Sequence, residues 1–177
     1  MEECRELPLL FYAYRRRLVG NVSAHSHGGC ELIYLLRGSC RVEGPLGVLA
    51  GRSGQLLVIP PETVHNQIDS PDEKNIFCVF QAQPGLFEQR WRTIDLAGEA
   101  WCRRWLLELS SMTGRNDFEG ANAILLGLLL RLSAFEKKRA AAEHLHPGLR
   151  KALAFIYNNF SRRISVEQIA EASGISV

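Results

Sequence analysis

An all-β domain of sandwich or barrel type, followed by α-helices, is the fold class the sequence predicts, on two observations. Up to about residue 97, short apolar runs alternate with glycine and proline breaks, the spacing of strands separated by turns. From residue 98 the apolar residues recur at helical intervals instead. A chain of 177 residues can hold one well-buried domain with an appendage, or two small domains.

The β-like runs are LPLLFYAY (7–14), ELIYLL (31–36), GVLAG (47–51), QLLVIPP (55–61) and NIFCVFQ (75–81). In EAWCRRWLLELSSM, Trp101, Trp105, Leu109 and Met112 share a helical face, and Gly114 is the stop. The segment 118–139 carries Ile124, Leu125, Leu126, Leu128, Leu129, Leu130 and Leu132, apolar around most of its circumference. AAAEHLHPG (140–148) reads as a linker, with Pro147 suited to a helix start and His144 and His146 as solvated loop residues. Leu149, Ala152, Leu153, Ile156 and Phe160 then share one face of a further helix, and Ser165 with Gln168 forms a capping box before the last one.

Composition narrows the class. Hydrophobic content of 46% and charged content of 23% are ordinary for a soluble globular protein, and a net charge of +2 argues neither for nor against nucleic acid. The five cysteines (Cys4, Cys30, Cys40, Cys78, Cys102) are scattered with no CxxC, so reduced thiols in a cytoplasmic protein are expected. The longest apolar-plus-glycine run, ILLGLLL at 124–130, falls short of the roughly 20 residues that span a bilayer, so no membrane partner is expected.

Residues 25–38, HSHGGCELIYLLRG, carry the chemistry. Histidines two apart share one face of a strand. A three-residue hairpin over Gly28-Gly29-Cys30 would pair His27 with Glu31 and His25 with Ile33, turning His25, His27 and Glu31 to one side; a two-residue Gly28-Gly29 turn would send Glu31 away. Downstream, GQLLVIPPETVHNQ (54–67) contributes His65 and Gln67. Together the spacings His25-x-His27-x3-Glu31-x6-Gly38 and Gly54-x5-Pro60-x4-His65 resemble the two signature motifs of the cupin superfamily over roughly residues 10–85. Glu62 stands where the second motif usually has glycine, Asp69 where it often has asparagine, and Gly20 lies one residue nearer His25 than the pattern expects.

The resemblance implies a double-stranded β-helix, the jelly-roll barrel of cupins, over residues 1–97, with a pocket formed by His25, His27, Glu31, Ile33, His65 and Gln67. In metal-holding cupins the positions of His25, His27, Glu31 and His65 are the ligands. Three imidazoles and a carboxylate suit a single divalent iron, manganese, nickel or zinc. The same histidines in a regulatory barrel can instead hydrogen-bond a polar ligand or one another.

The last thirty residues choose between those roles. HPGLRKALAFIYNNFSRRISVEQIAEASGIS resembles the opening of the DNA-binding module of AraC/XylS-type transcription regulators. Ile169 and Ala170 match the start of its helix-turn-helix core, Gly174 its turn, and Ser176 the cap of a recognition helix that lies beyond Val177. The resemblance implies a helical dimerisation and packing region at 98–140, a linker at 141–147 and a partial helix-turn-helix at 148–177. Leu125, Leu128, Leu129 and Leu132 would form the seam of a homodimer, or else be buried within one subunit. The chain would bind a small-molecule effector and control DNA binding by the full-length module, without reading a DNA sequence itself and without catalysing a reaction. A metal-dependent cupin oxygenase or isomerase is the rival reading. Arg15-Arg16-Arg17 reads chiefly as a charged sheet edge.

Overall fold

The computed structural model describes residues 7–16 and 20–174, apart from the side chains of 142–144. Cys4, Arg17 and Ser176 lie outside the described residues. The chain divides into two compact units, residues 1–133 and 134–177.

Among the described residues the first unit carries nine strands: β1 (Leu9–Arg16), β2 (Val22–His25), β3 (Cys30–Arg37), β4 (Ser39–Gly44), β5 (Gly47–Arg52), β6 (Gln55–Ile59), β7 (His65–Asp69), β8 (Lys74–Gln81) and β9 (Arg92–Asp95). They form two antiparallel sheets, one in the order β1-β8-β3-β6-β9 and the other β2-β7-β4-β5. The arrangement is a mostly β, cupin-like fold followed by helices.

Directly paired residues share a sheet face, so the register shows what points between the sheets. In the five-stranded sheet, Glu31 pairs with Ile59 and Val79, and Val79 with Tyr12. Ile33 pairs with Leu57 and Phe77, and Phe77 with Tyr14; Asn75 pairs with Leu35 and Arg16. Across from them, Cys40, Val42 and Leu49 of the second sheet pack with Ile33, Leu35, Leu57 and Ile59 in one apolar cluster. The other face of the five-stranded sheet bears Cys30, Leu32, Ile76, Cys78 and Phe80, all buried, and α1 (Ala100–Gly114) packs against β1 and β8. Because β3 is covered on both faces, it reads as an unbroken apolar run rather than an alternating one. Burial pushes the thiols of Cys30, Cys40 and Cys102 up to about 12, which makes them inert packing groups.

The helix α2 (Phe118–His144) holds α1 through Arg131, whose guanidinium lies 4.5 Å from the Trp101 ring and 5.6 Å from the Trp105 ring. Asn122 accepts the Leu10 backbone N–H at 2.8 Å, tying α2 to the first strand. Three expectations are corrected here. The linker begins later than 141, because the alanine-rich 140–144 continues the helix and only residues 145 and 146 precede α3 (Pro147–Asn159). His146 is no idle loop residue: its Nδ1 caps α3 by accepting the Gly148 N–H at 3.2 Å. Phe118–Ala141 is also long and apolar enough by composition to cross a bilayer, with a hydropathy of 1.4, since alanines and glycines extend the leucine run. Its Leu125, Leu128, Leu129 and Leu132 are 0% exposed in the single chain. In the single chain they are covered within one subunit, the second of the two expected arrangements, whereas Leu130 is 41% exposed.

In the second unit α3 packs on α4 (Val166–Ser173). Ser165 accepts the Gln168 N–H at 3.3 Å and Gln168 accepts the Ser165 N–H at 3.0 Å, the reciprocal capping box read from the sequence. Gly174 follows with φ 68°, the left-handed residue that ends the helix. Ser165→Ala should destabilise this helical pair by about 1 kcal/mol, read by amide exchange protection in α4.

Candidate ligand and metal site between the sheets

Four side chains converge at one end of the space between the sheets. Single ligand atoms of His25, His27, Glu31 and His65 all lie within 4.8 Å of one another. His25 pairs directly with His65 in the four-stranded sheet, and their ring centroids are 4.4 Å apart. Glu31 comes from β3 of the other sheet, and His27 from the segment that connects them. Glu31 and His65 are buried, His27 is half-buried and His25 is exposed, so the cluster opens to solvent at His25.

The expected hairpin over Gly28-Gly29-Cys30 does not form. β2 belongs to one sheet and β3 to the other, so these residues carry the chain across the gap between them. Glu31 faces His27 for that reason, not through strand pairing. The crossing is tight: a Cβ on Gly29 would stand 2.7 Å from Val79 Cγ1, 2.8 Å from the Phe80 carbonyl oxygen and 2.9 Å from Phe11 Cε2. Glu62 occupies the motif's glycine position and keeps its geometry, with φ 57° and its N–H donated to the His27 carbonyl at 2.9 Å. A left-handed glutamate is strained, so Glu62→Gly should stabilise the protein by about 1 kcal/mol in denaturant unfolding.

The hydrogen bonds fix the imidazoles. Nδ1 of His25, His27 and His65 contacts the backbone carbonyls of Ser23, Gly29 and Thr63 at 3.0, 2.9 and 2.8 Å. A carbonyl only accepts, so each Nδ1 bears the proton and each Nε2 is left as a lone pair in the neutral ring. Yet Nε2 of His27 and of His65 stands 3.2 and 3.0 Å from Glu31 Oε2. Two acceptors at that separation require a positive charge between them, either a proton on the imidazole or a metal ion. The donor set therefore fits a divalent metal, with backbone carbonyls orienting the rings from outside. Burial pushes the Glu31 carboxyl up, but hydrogen bonds from His27 and His65 outweigh it and hold it below the usual carboxylate range. The Glu31 hydrogen bond in turn raises His27.

The other expected pocket residues fall differently. Gln67 is buried two residues along β7 from His65, on the same face, and its amide donates to Asp69. Ile33 belongs to the apolar cluster on the closed side of the fold. Ile169, Ala170 and Gly174 lie in the second unit and are no part of this site. The sequence reading missed Tyr12, Tyr14 and Phe77, whose rings lie 6.0–6.1 Å apart on the inward face. Burial and the nearby Glu31 charge both raise the Tyr12 hydroxyl. The signal was available in the period of two along β1 and β8 once those strands are paired. Arg16, expected as an edge charge, instead pairs with Asp69 at 2.9 Å across the sheets.

No curated protein sequence matches the chain. Among solved structures, apo ToxT from Vibrio cholerae is similar over 97% of this chain and 72% of its own, at 9% identity and a TM-score of 0.50. A cupin-2 domain containing protein from Shewanella frigidimarina is similar over 40% of this chain and 67% of its own, at 15% identity and a TM-score of 0.34. The profile of the AraC-like ligand binding domain matches residues 9–145, most of the chain. With the two facing sheets and the helices that follow them, that match places the chain in the AraC-like ligand-binding domain family.

Proposed function

We propose that the chain is the effector-sensing and dimerisation region of a cytoplasmic AraC-type transcription regulator. One observation carries this reading: a cluster of His25, His27, Glu31 and His65, exposed to solvent at His25, lies between the sheets of an AraC-like ligand-binding domain. A small molecule enters past His25, meets the imidazoles and Gln67, and lies along the Tyr12, Tyr14 and Phe77 wall. His25, His27, Glu31 and His65 would hold a zinc, nickel, manganese or iron ion, which would supply Lewis-acid attraction for a polar effector. The chain's own residues orient and desolvate the ligand, and no side chain here is assigned a catalytic step.

Signal output follows from differential binding to two states of the protein. β1 carries pocket residues on its inner face and contacts α1 on its outer face, so ligand packing against Tyr12 and Tyr14 bears directly on the helices. α3 and α4 resemble the opening of a helix-turn-helix, the unit through which a regulator of this type reads DNA. Dimerisation uses the outward stripe of α2, Leu126 and Leu130, rather than the buried leucines.

The test is the oligomeric state and its response. The purified chain should be a dimer by light scattering, and Leu130→Glu should make it a monomer with an unchanged circular dichroism spectrum. A chain that is monomeric at all concentrations contradicts the dimerisation part of this reading.

A further inference from the structure

A second polar cluster lies at the opposite end of the same space. Along β7, Asp69 is four residues from His65, about 13 Å at strand rise. The Asp69 side chain is fully buried, pairs with Arg16 at 2.9 Å and accepts the Gln67 amide. Beside this pair stand Glu73, 1% exposed, and Asn75, 0% exposed. Neither Glu73 oxygen and neither polar atom of the Asn75 amide makes a hydrogen bond of good geometry, although the Asn75 amide stands near enough to Glu73 to favour its charged form. Leaving such atoms buried and unpaired costs on the order of 1–3 kcal/mol each, more for a charged group, so their retention calls for an occupant.

The inventory says what that occupant is. The unsatisfied atoms comprise four acceptors, Glu73 Oε1 and Oε2, Asn75 Oδ1 and Asp69 Oδ2, against two donors, Asn75 Nδ2 and Arg16 Nη1; Arg16 and Asp69 meet each other at 2.9 Å, which leaves three acceptors and one donor. With Glu73 ionised, Arg16, Asp69 and Glu73 together carry one uncompensated negative charge. A carboxylate or phosphate is therefore repelled, and a neutral hydroxyl supplies one donor where three are wanted. A primary ammonium brings three donors, no acceptor and one positive charge. We propose that Glu73 and Asn75, backed by Arg16, Asp69 and Cys40, form a site for the primary ammonium group of an organic amine. That this site is the polar end of the effector pocket rests on the sensing function proposed above; cation capture itself does not.

The groups around Glu73 are consistent with an unmet need for positive charge. Burial, and after it the neighbouring Asp69 charge, raise its carboxyl to about 7, with the Asn75 amide and the Arg16 charge partly opposing them. Cys40, paired with Asp69, is a neutral thiol. Seating an ammonium also fastens Arg16, at the end of edge strand β1, to β7 of the other sheet.

Calorimetric titration of the whole chain with methylamine hydrochloride tests the assignment. At pH 8 binding should be saturable, and at pH 5, where Glu73 holds its proton, at least tenfold weaker. Glu73→Gln should weaken binding at pH 8 at least tenfold, and Asn75→Leu should weaken it too. Tetramethylammonium and potassium chloride at equal ionic strength should give no saturable heat. A saturable response to potassium of equal size overturns the ammonium assignment in favour of an inorganic cation. Binding that is unchanged at pH 5, a test that needs no variant, overturns the site altogether. Intact methylammonium binding in a chain whose regulatory output ignores amines would refute the sensing role and leave the site standing.

Discussion

Glu31→Gln lowers the affinity of the chain for zinc or nickel on the order of 100-fold or more, and removes the acid-side stability of the metal-free protein. The metal arm follows from the donor set: Glu31 is the only carboxylate among the four converging groups, and it supplies the charge that balances the cation. The stability arm follows from linkage. Glu31 sits below its ordinary value of 4.5, so its contribution is present above that pH and is lost as pH falls through the lowered value. His27 sits above its ordinary value of 6.5, so its contribution is present below that pH and is lost as pH rises through the raised value. The pair is thus fully charged from 4.5 to 6.5, and metal-free wild type should gain most over the variant in that window. Above it, metal replaces the proton between the imidazoles and Glu31, so added zinc should stabilise wild type most at alkaline pH. Dialysis with metal analysis measures the first effect, and melting curves across pH the second.

Gly29→Val lowers stability by about 3 kcal/mol, the upper range for forcing side-chain atoms into a closed site. Three atoms lie under 3 Å from the position of a Cβ at residue 29, and one is the Phe80 carbonyl oxygen, which cannot swing aside as a side-chain end could. A chain of this length should lose about 6–12 °C in melting temperature. Gly28→Ala is the control. Its Cβ would meet only the end of the Glu62 side chain, at 3.2 Å, so its cost should be much smaller.

The strands that read clearly from sequence are those with an apolar core face. ELIYLL, QLLVIPP and NIFCVFQ became β3, β6 and β8 at the centre of the five-stranded sheet, covered on both faces. The strands that went unread were β4, β7 and β9. β7 carries His65, Gln67 and Asp69 inward, and a strand that lines a polar site shows no apolar alternation, while β4 and β9 have too few apolar residues to stand out. The same physics hid the crossover: Gly28-Gly29 resembles a turn, and only the sheet assignment of β2 and β3 shows that it spans the gap. The four converging residues were legible because the two motif spacings fix them without the topology. Arg16, Glu73 and Asn75 were not legible, since their meeting depends on the β1–β8 register and on a turn that folds Glu73 inward.

The central claim is that the site between the sheets binds a small molecule without transforming it. The decisive measurement is mass spectrometry of any compound found to raise the melting temperature of wild type but not of His65→Ala. Incubated with the protein, with and without zinc, nickel, manganese or iron, the compound should be recovered unchanged at one equivalent per chain. Recovery of a product in multiple turnovers would contradict the sensor account and establish an enzyme.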